Sequence, residues 1–212
     1  DNLVYDPKMS VLESDGIHSG LPDDRWAFTS RSSALNFGSI AALAAASRAL
    51  KGHDDALAEE SLETAVRAWN EERSRQPDLF RHGNTTGKEM GVEEVNAALE
   101  LLVTAGEQLC AERLAQYLPE IEKSFSRFAV TATRAMPFMD EAYRARIRKL
   151  AESHHEQMKQ HAELNPYGVP ITEHGWAGNG TIIDAGITNY YLHRAFPDLF
   201  AGFSVRSVSE YG

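Results

Sequence analysis

Apolar residues in this chain recur every three or four positions, in stretch after stretch. The interruptions are glycines and prolines, and no stretch shows the strict alternation of a half-buried strand. From Ser30 to Lys51, Leu35, Leu43, Ala46 and Leu50 predict an Ala-rich helix, and Gly52 just beyond it suits a left-handed C-terminal stop. Asp54 or Asp55 then caps a second helix carrying Leu62, Ala65, Val66 and Trp69 on one face and ending before Pro77. A few polar residues separate the two, so they form an antiparallel hairpin. Val92, Val95, Leu99, Leu102 and Val103 mark a third helix that Gly106 ends. Leu109, Leu114 and Tyr117 mark a fourth, paired with the third and stopped before Pro119. Pro119 suits the first turn of a fifth helix, whose apolar side is Ile121, Phe125 and Phe128. Met136 and Pro137 break the chain before a long helix from about Asp140 to Leu164, with Tyr143, Ile147, Leu150 and Met158 inward. A last apolar-periodic helix closes at Pro197. The expected fold class is all-α, built of antiparallel helix hairpins.

With 212 residues, 42% of them hydrophobic, the chain can bury a core, and one domain over residues 1–212 is expected. A net charge of −10 without any Lys/Arg cluster argues against nucleic acid or an anionic membrane as partner. No apolar run approaches the roughly 20 residues that span a bilayer; the Ala41–Ala46 run is far too short. The lone cysteine, Cys110, excludes an internal disulfide and reads as a small buried hydrophobe. His154, His155 and His161 share the long helix, but no two are four apart, so no metal site is expected. Beginning at DNLVYDP without an initiator Met, the sequence reads as a fragment or processed product, so that no signal peptide is visible in it is uninformative.

The chemistry concentrates in Asn165–Phe196, a polar, aromatic loop leading into the last helix. Pro166 and Pro170 hold the loop extended, and Gly175, Gly178 and Gly180 flank Trp176. One indole, one imidazole (His174) and one amide (Asn179) come together there, with no Lys or Arg between Leu164 and Arg194. Such a set suits a sugar, whose CH faces lie on aromatic rings and whose hydroxyls need mixed donors and acceptors; a phosphate would want cations. Trp176 has two readings: a plug that caps the helical core, or a platform for a ligand. Residues 1–26 read as an extended loop ending in Asp23, Asp24, Arg25 and Trp26, either an ion-paired staple or a substrate contact. The Phe80–Gly91 loop offers Arg81, His82 and Asn84, residues that most often simply make turns.

The segments NPYGVPITEHGWAGNG and NYYLHRAFPDLF, taken with SGLPDDRWAFTSRSSALNFGSIAALAAASRALKG, resemble the middle of a glycoside hydrolase family 9 catalytic domain. The similarity is to the cellulase and β-glucosidase-like branch and is collinear over most of residues 1–200. It implies part of an (α/α)6 barrel whose loops build a carbohydrate cleft, and an inverting hydrolase of β-1,4-linked glucan or related oligosaccharides. It turns Trp176 toward the platform reading. It also implies a periplasmic or extracellular place and, as partners, an oligosaccharide or polysaccharide and the rest of a parent catalytic domain.

Inverting hydrolysis needs a protonated acid and a carboxylate base about 6.5–9.5 Å apart. The family's base lies in an Asp-rich motif upstream of the matched region, and its acid is a Glu downstream; neither motif is present. Glu173, Asp184 and Asp23 are lone carboxylates of the kind that is usually solvated, so no catalytic residue is assigned. No cofactor is required, and no carboxylate cluster supports the structural calcium of some family members. The substrate-binding candidates are Trp176 and Tyr167 as stacking faces, His174 and Asn179 as hydroxyl partners, and Trp26 and Arg31 from the N-terminal loop. After YLHRAFPDLF the tail departs from the family pattern, which implies a missing segment near 200–203 and an open barrel. The alternatives are a non-catalytic carbohydrate-binding domain and a structural helical scaffold.

Overall fold

The computed structural model describes residues 31–80, 89–106, 108–164 and 178–200. Among these the chain forms only helices: α1 (Ser33–Leu50), α2 (Asp55–Arg73), α3 (Met90–Ala105), α4 (Gln108–Gln116) and α5 (Leu118–Lys123). They are followed by α6 (Phe125–Ala135), a 3-10 turn (Met136–Phe138), α7 (Glu141–Leu164), α8 (Gly178–Ala195) and α9 (Pro197–Phe200). The fold class is the one expected from the periodicity.

The caps explain where the first hairpin turns. The Ser32 hydroxyl accepts the Leu35 N–H at 3.4 Å to open α1. Gly52, at φ +84°, turns the chain out of it in a conformation that a Cβ would disfavour. Asp54 then accepts the Leu57 N–H at 3.1 Å, and Asp55 accepts the Gly52 N–H at 2.7 Å, so α2 starts at once and folds back. Gly106, at φ +69°, ends α3 with its N–H on the Leu102 carbonyl at 2.9 Å.

α1 lies along both α2 and α3, while α6 joins α3 to α7 and α8. Val95, Leu99 and Leu102 of α3 are in the core with Trp69, Leu114, Ile121, Ile147 and Leu192. Each such large apolar side chain contributes about 1.5–3 kcal/mol on leaving water. Trp69 meets Phe37 edge-on, with centroids 5.7 Å apart. Tyr143, Ile147 and Met158 point inward from α7 as the spacing predicts, and Cys110 is buried.

Three local expectations are corrected. On α1 the buried face is Phe37, Ile40, Ala44 and Ser47, whereas Leu35 is exposed and Leu43, Ala46 and Leu50 are half-buried. An Ala-rich helix is apolar nearly all round, so spacing alone does not single out the inward face. Leu109 of α4 is 66% exposed, and only Leu114 and Tyr117 of the expected trio turn toward α3 and the core. The fifth helix is two: Ser124, at φ −138° and ψ 49°, separates Ile121 on α5 from Phe125 and Phe128 on α6, and all three are buried.

Buried carboxylates tie the helices together. Glu94 of α3, with a side chain 3% exposed, accepts from Arg73 of α2 at 2.7 Å and from Arg113 of α4 at 2.8 Å. The Tyr117 hydroxyl donates to it as well. Burial pushes the Glu94 carboxyl up, but hydrogen bonds from Arg113, Tyr117 and Arg73 outweigh that and hold it below the ordinary Glu value. Burial and the Glu94 carboxylate push the Tyr117 phenol up to about 12. Glu72 of α2 takes bonds from Ser33 and Asn36 of α1 and from Arg75. Glu100 of α3 accepts from Arg48 of α1 and from Arg134 of α6. For both, desolvation again opposes ionisation and the hydrogen bonds prevail, lowering the pKa.

Candidate functional site

Where α7 and α8 run beside α6, a cavity of about 340 Å³ opens. Its walls come from short sequence periods: His154, Gln157 and Met158 are i, i+3 and i+4 on α7, and Thr181, Asp184, Ala185 and Thr188 are i, i+3, i+4 and i+7 on α8. Ser126 and Arg127 at the start of α6 complete it. Phe125 backs the His154 ring edge-on, at 5.9 Å between centroids. Arg127, the cation in this lining, is paired with Glu89 at 3.1 Å.

The lining offers three hydroxyls, one amide, one imidazole and one carboxylate, with the Met158 thioether as an apolar wall. Hydroxyls and amides both donate and accept, as a polyhydroxylated ligand requires, and the paired arginine leaves little attraction for an anion. Proton transfer is another matter. The carboxylates whose pKa is clearly shifted among the described residues are Glu72, Glu94, Glu100, Glu122, Glu156 and Asp198, and each is lowered. A glycosidase acid needs the opposite shift.

Of the residues singled out from sequence, Trp26, Tyr167, His174 and Trp176 lie outside the described residues, as do Asp23, Arg81, His82, Asn84, Glu173 and the 201–203 junction. Asn179 sits in the first turn of α8. Gly178 and Gly180 are helical there too, which corrects their reading as loop glycines. Arg31 is exposed and lines a different cavity, about 320 Å³, between α1 and α2 with Asn36, Ser39, Glu71 and Arg75. Asp184 is brought to the α6–α7–α8 cavity and is exposed. The polar residues of that cavity, Ser126, Gln157, Thr181 and Thr188, were missed in the sequence; the signal was the polar three-and-four spacing on α7 and α8.

No family model matches the chain, and no curated protein matches it. Among solved structures, the chain is similar to one described as a metagenome-derived glycoside hydrolase family 9 endoglucanase, with a TM-score of 0.61 and 23% sequence identity. The superposition covers 75% of this chain and 32% of that one, so the chain spans about a third of its length. At that identity the likeness speaks for the fold: an all-α chain resembling part of the (α/α)6 barrel of a family 9 glycoside hydrolase.

Proposed function

We propose that the chain is part of an inverting glycoside hydrolase acting on β-1,4-linked glucan or related oligosaccharides, and that it supplies barrel helices and substrate-binding loops. The observation that carries this reading is the superposition on the family 9 endoglucanase. The hydroxyl- and amide-lined cavity on α7 and α8, the helices that precede and follow residues 165–177 in sequence, adds support. In this reading Trp176 and Tyr167 stack against sugar rings, His174 and Asn179 bond hydroxyls, and Trp26 and Arg31 contact substrate from the N-terminal loop. Residues 1–212 then form one partial barrel domain. The exposed Ile183, Ile187 and Tyr190 stripe of α8 is the face on which further barrel helices would pack.

Calorimetric titration of the chain with cellopentaose, beside an assay for released reducing ends, tests the proposal. Binding without turnover is expected, because general acid–base transfer contributes about 10²–10⁴-fold and no acid–base pair is assigned. Turnover abolished by Glu173→Gln would make Glu173 the acid and overturn the role given to this segment. One second reading is a non-catalytic carbohydrate-binding domain, favoured by a cavity whose lining offers one carboxylate rather than an acid–base pair. Restored activity on joining the chain to an acid- and base-bearing parent segment would rule that out.

A further inference from the structure

A second cavity, about 450 Å³, lies between the C-terminal half of α1, the α6 end with its 3-10 turn, and the last turns of α8. Three arginines line it, Arg48, Arg134 and Arg194, and among the described residues its lining contains no carboxylate. Arg48 and Arg134 share one counter-ion, Glu100: Arg134 reaches its two oxygens at 2.5 and 3.2 Å, and Arg48 binds one of the same oxygens. Arg194 has no acidic partner among the described residues and rests over the Tyr190 ring at 5.8 Å. The wall therefore carries three guanidinium charges against one carboxylate, in a chain whose net charge is −10. Between the arginines, Val103, Met136 and the Tyr191 ring provide an apolar surface.

We propose that this cavity binds a small organic anion, a carboxylate or phosphate monoester, with the anionic group at Arg194 and Arg134 and the organic body against Tyr191 and Met136. Each guanidinium has five N–H donors in a planar fork, and Arg134 uses only two of its nitrogens on Glu100. Donors remain for a second oxyanion. Its binding relieves the excess positive charge while Glu100 stays bonded to Arg48 and Arg134. The volume falls within the roughly 300–1,000 Å³ range of small-molecule sites. The inference does not depend on the carbohydrate reading, since the arginine cavity and the α6–α7–α8 cavity share no lining residue.

The test is calorimetric titration of the whole chain with phenyl phosphate, benzoate, inorganic phosphate and, as the neutral control, benzyl alcohol. Saturable 1:1 binding of phenyl phosphate or benzoate is expected, weaker binding of inorganic phosphate, and none of benzyl alcohol. The tighter of the two aryl anions identifies the head group. Arg194→Gln should weaken binding by roughly tenfold or more, as the loss of a charge-assisted hydrogen bond would, and Arg194→Lys should restore part of it. Arg194 is exposed, so its variants keep the fold, which unchanged thermal unfolding verifies. Arg67→Gln, an exposed arginine on α2, should leave affinity unchanged. No saturable binding of either aryl anion at millimolar concentration, undiminished binding by Arg194→Gln, or an equal loss in Arg67→Gln would overturn the proposal.

Discussion

Glu94→Gln keeps nearly the same shape and removes one charge from the junction of α2, α3 and α4. In the wild type its carboxylate, 3% exposed, accepts from Arg73 at 2.7 Å, from Arg113 at 2.8 and 3.2 Å, and from the Tyr117 hydroxyl. The glutamine retains one acceptor oxygen and turns an N–H₂ toward partners of which the Tyr117 hydroxyl can accept it and the two guanidinium groups cannot. Removing one partner of a buried ion pair costs about 3–5 kcal/mol. Arg73 and Arg113 are 39% and 25% exposed and can recover some water, which puts the loss at the low end, about 3 kcal/mol. For a chain of this size each kcal/mol lowers Tm by about 2–4 °C, so a fall of roughly 6–12 °C is expected in thermal unfolding followed by far-UV circular dichroism. Glu89→Gln breaks the exposed pair with Arg127 and serves as the control, with a loss below about 1 kcal/mol. A Glu94→Gln variant within about 0.5 kcal/mol of wild type, the range of ordinary surface substitutions, would refute the view that this carboxylate locks the three helices.

The lowered pKa values of Glu72, Glu94 and Glu100 make acid lability a second expectation. Their stabilisation is complete above the ordinary Glu value of 4.5 and is lost as pH falls below it, through the depressed folded-state values. Urea midpoints measured from pH 7 downward should drop steeply below that point, and a flat profile would contradict the assignment. Two glycines should respond in opposite directions. Gly106→Ala places a Cβ at φ +69° and should destabilise by about 1–2 kcal/mol. Gly186→Ala, within α8 where an added Cβ meets nothing within 4 Å, should stabilise by up to about 1 kcal/mol. Chemical denaturation of both variants decides it, and a shift of the same sign in both would count against the backbone argument.

The sequence was most informative where structure is decided locally. Gly52, Asp54, Gly106 and Pro119 mark helix ends because a left-handed residue, a side-chain acceptor and a missing N–H act within one turn, and the observed boundaries fall beside them. α1 was less legible: with alanines on every side, its inward face is chosen by Trp69 and the α3 core, not by its own pattern. The break at Ser124 has no glycine or proline to announce it. Between helices, the glutamate locks join partners 19 to 52 residues apart, as Glu94–Arg113 and Arg48–Glu100 do, and nothing local distinguishes those glutamates from solvated ones. The polar cavity beside α6 was similarly obscured, because a stripe of Thr, Asp and Gln reads as a wetted helix face, and nothing in its spacing says that Ser126 and Arg127 of α6 stand opposite.

The sugar-binding role of the Asn165–Gly180 segment is tested most directly by paired measurements on Trp176→Ala: thermal unfolding without ligand, and cellopentaose binding to the folded protein. A platform indole predicts a clear loss of affinity with Tm nearly unchanged. If affinity is unchanged while stability falls by about 3–5 kcal/mol, as truncating a buried tryptophan does, then Trp176 is a structural plug, and the sugar contacts given to His174 and Asn179 fall with it.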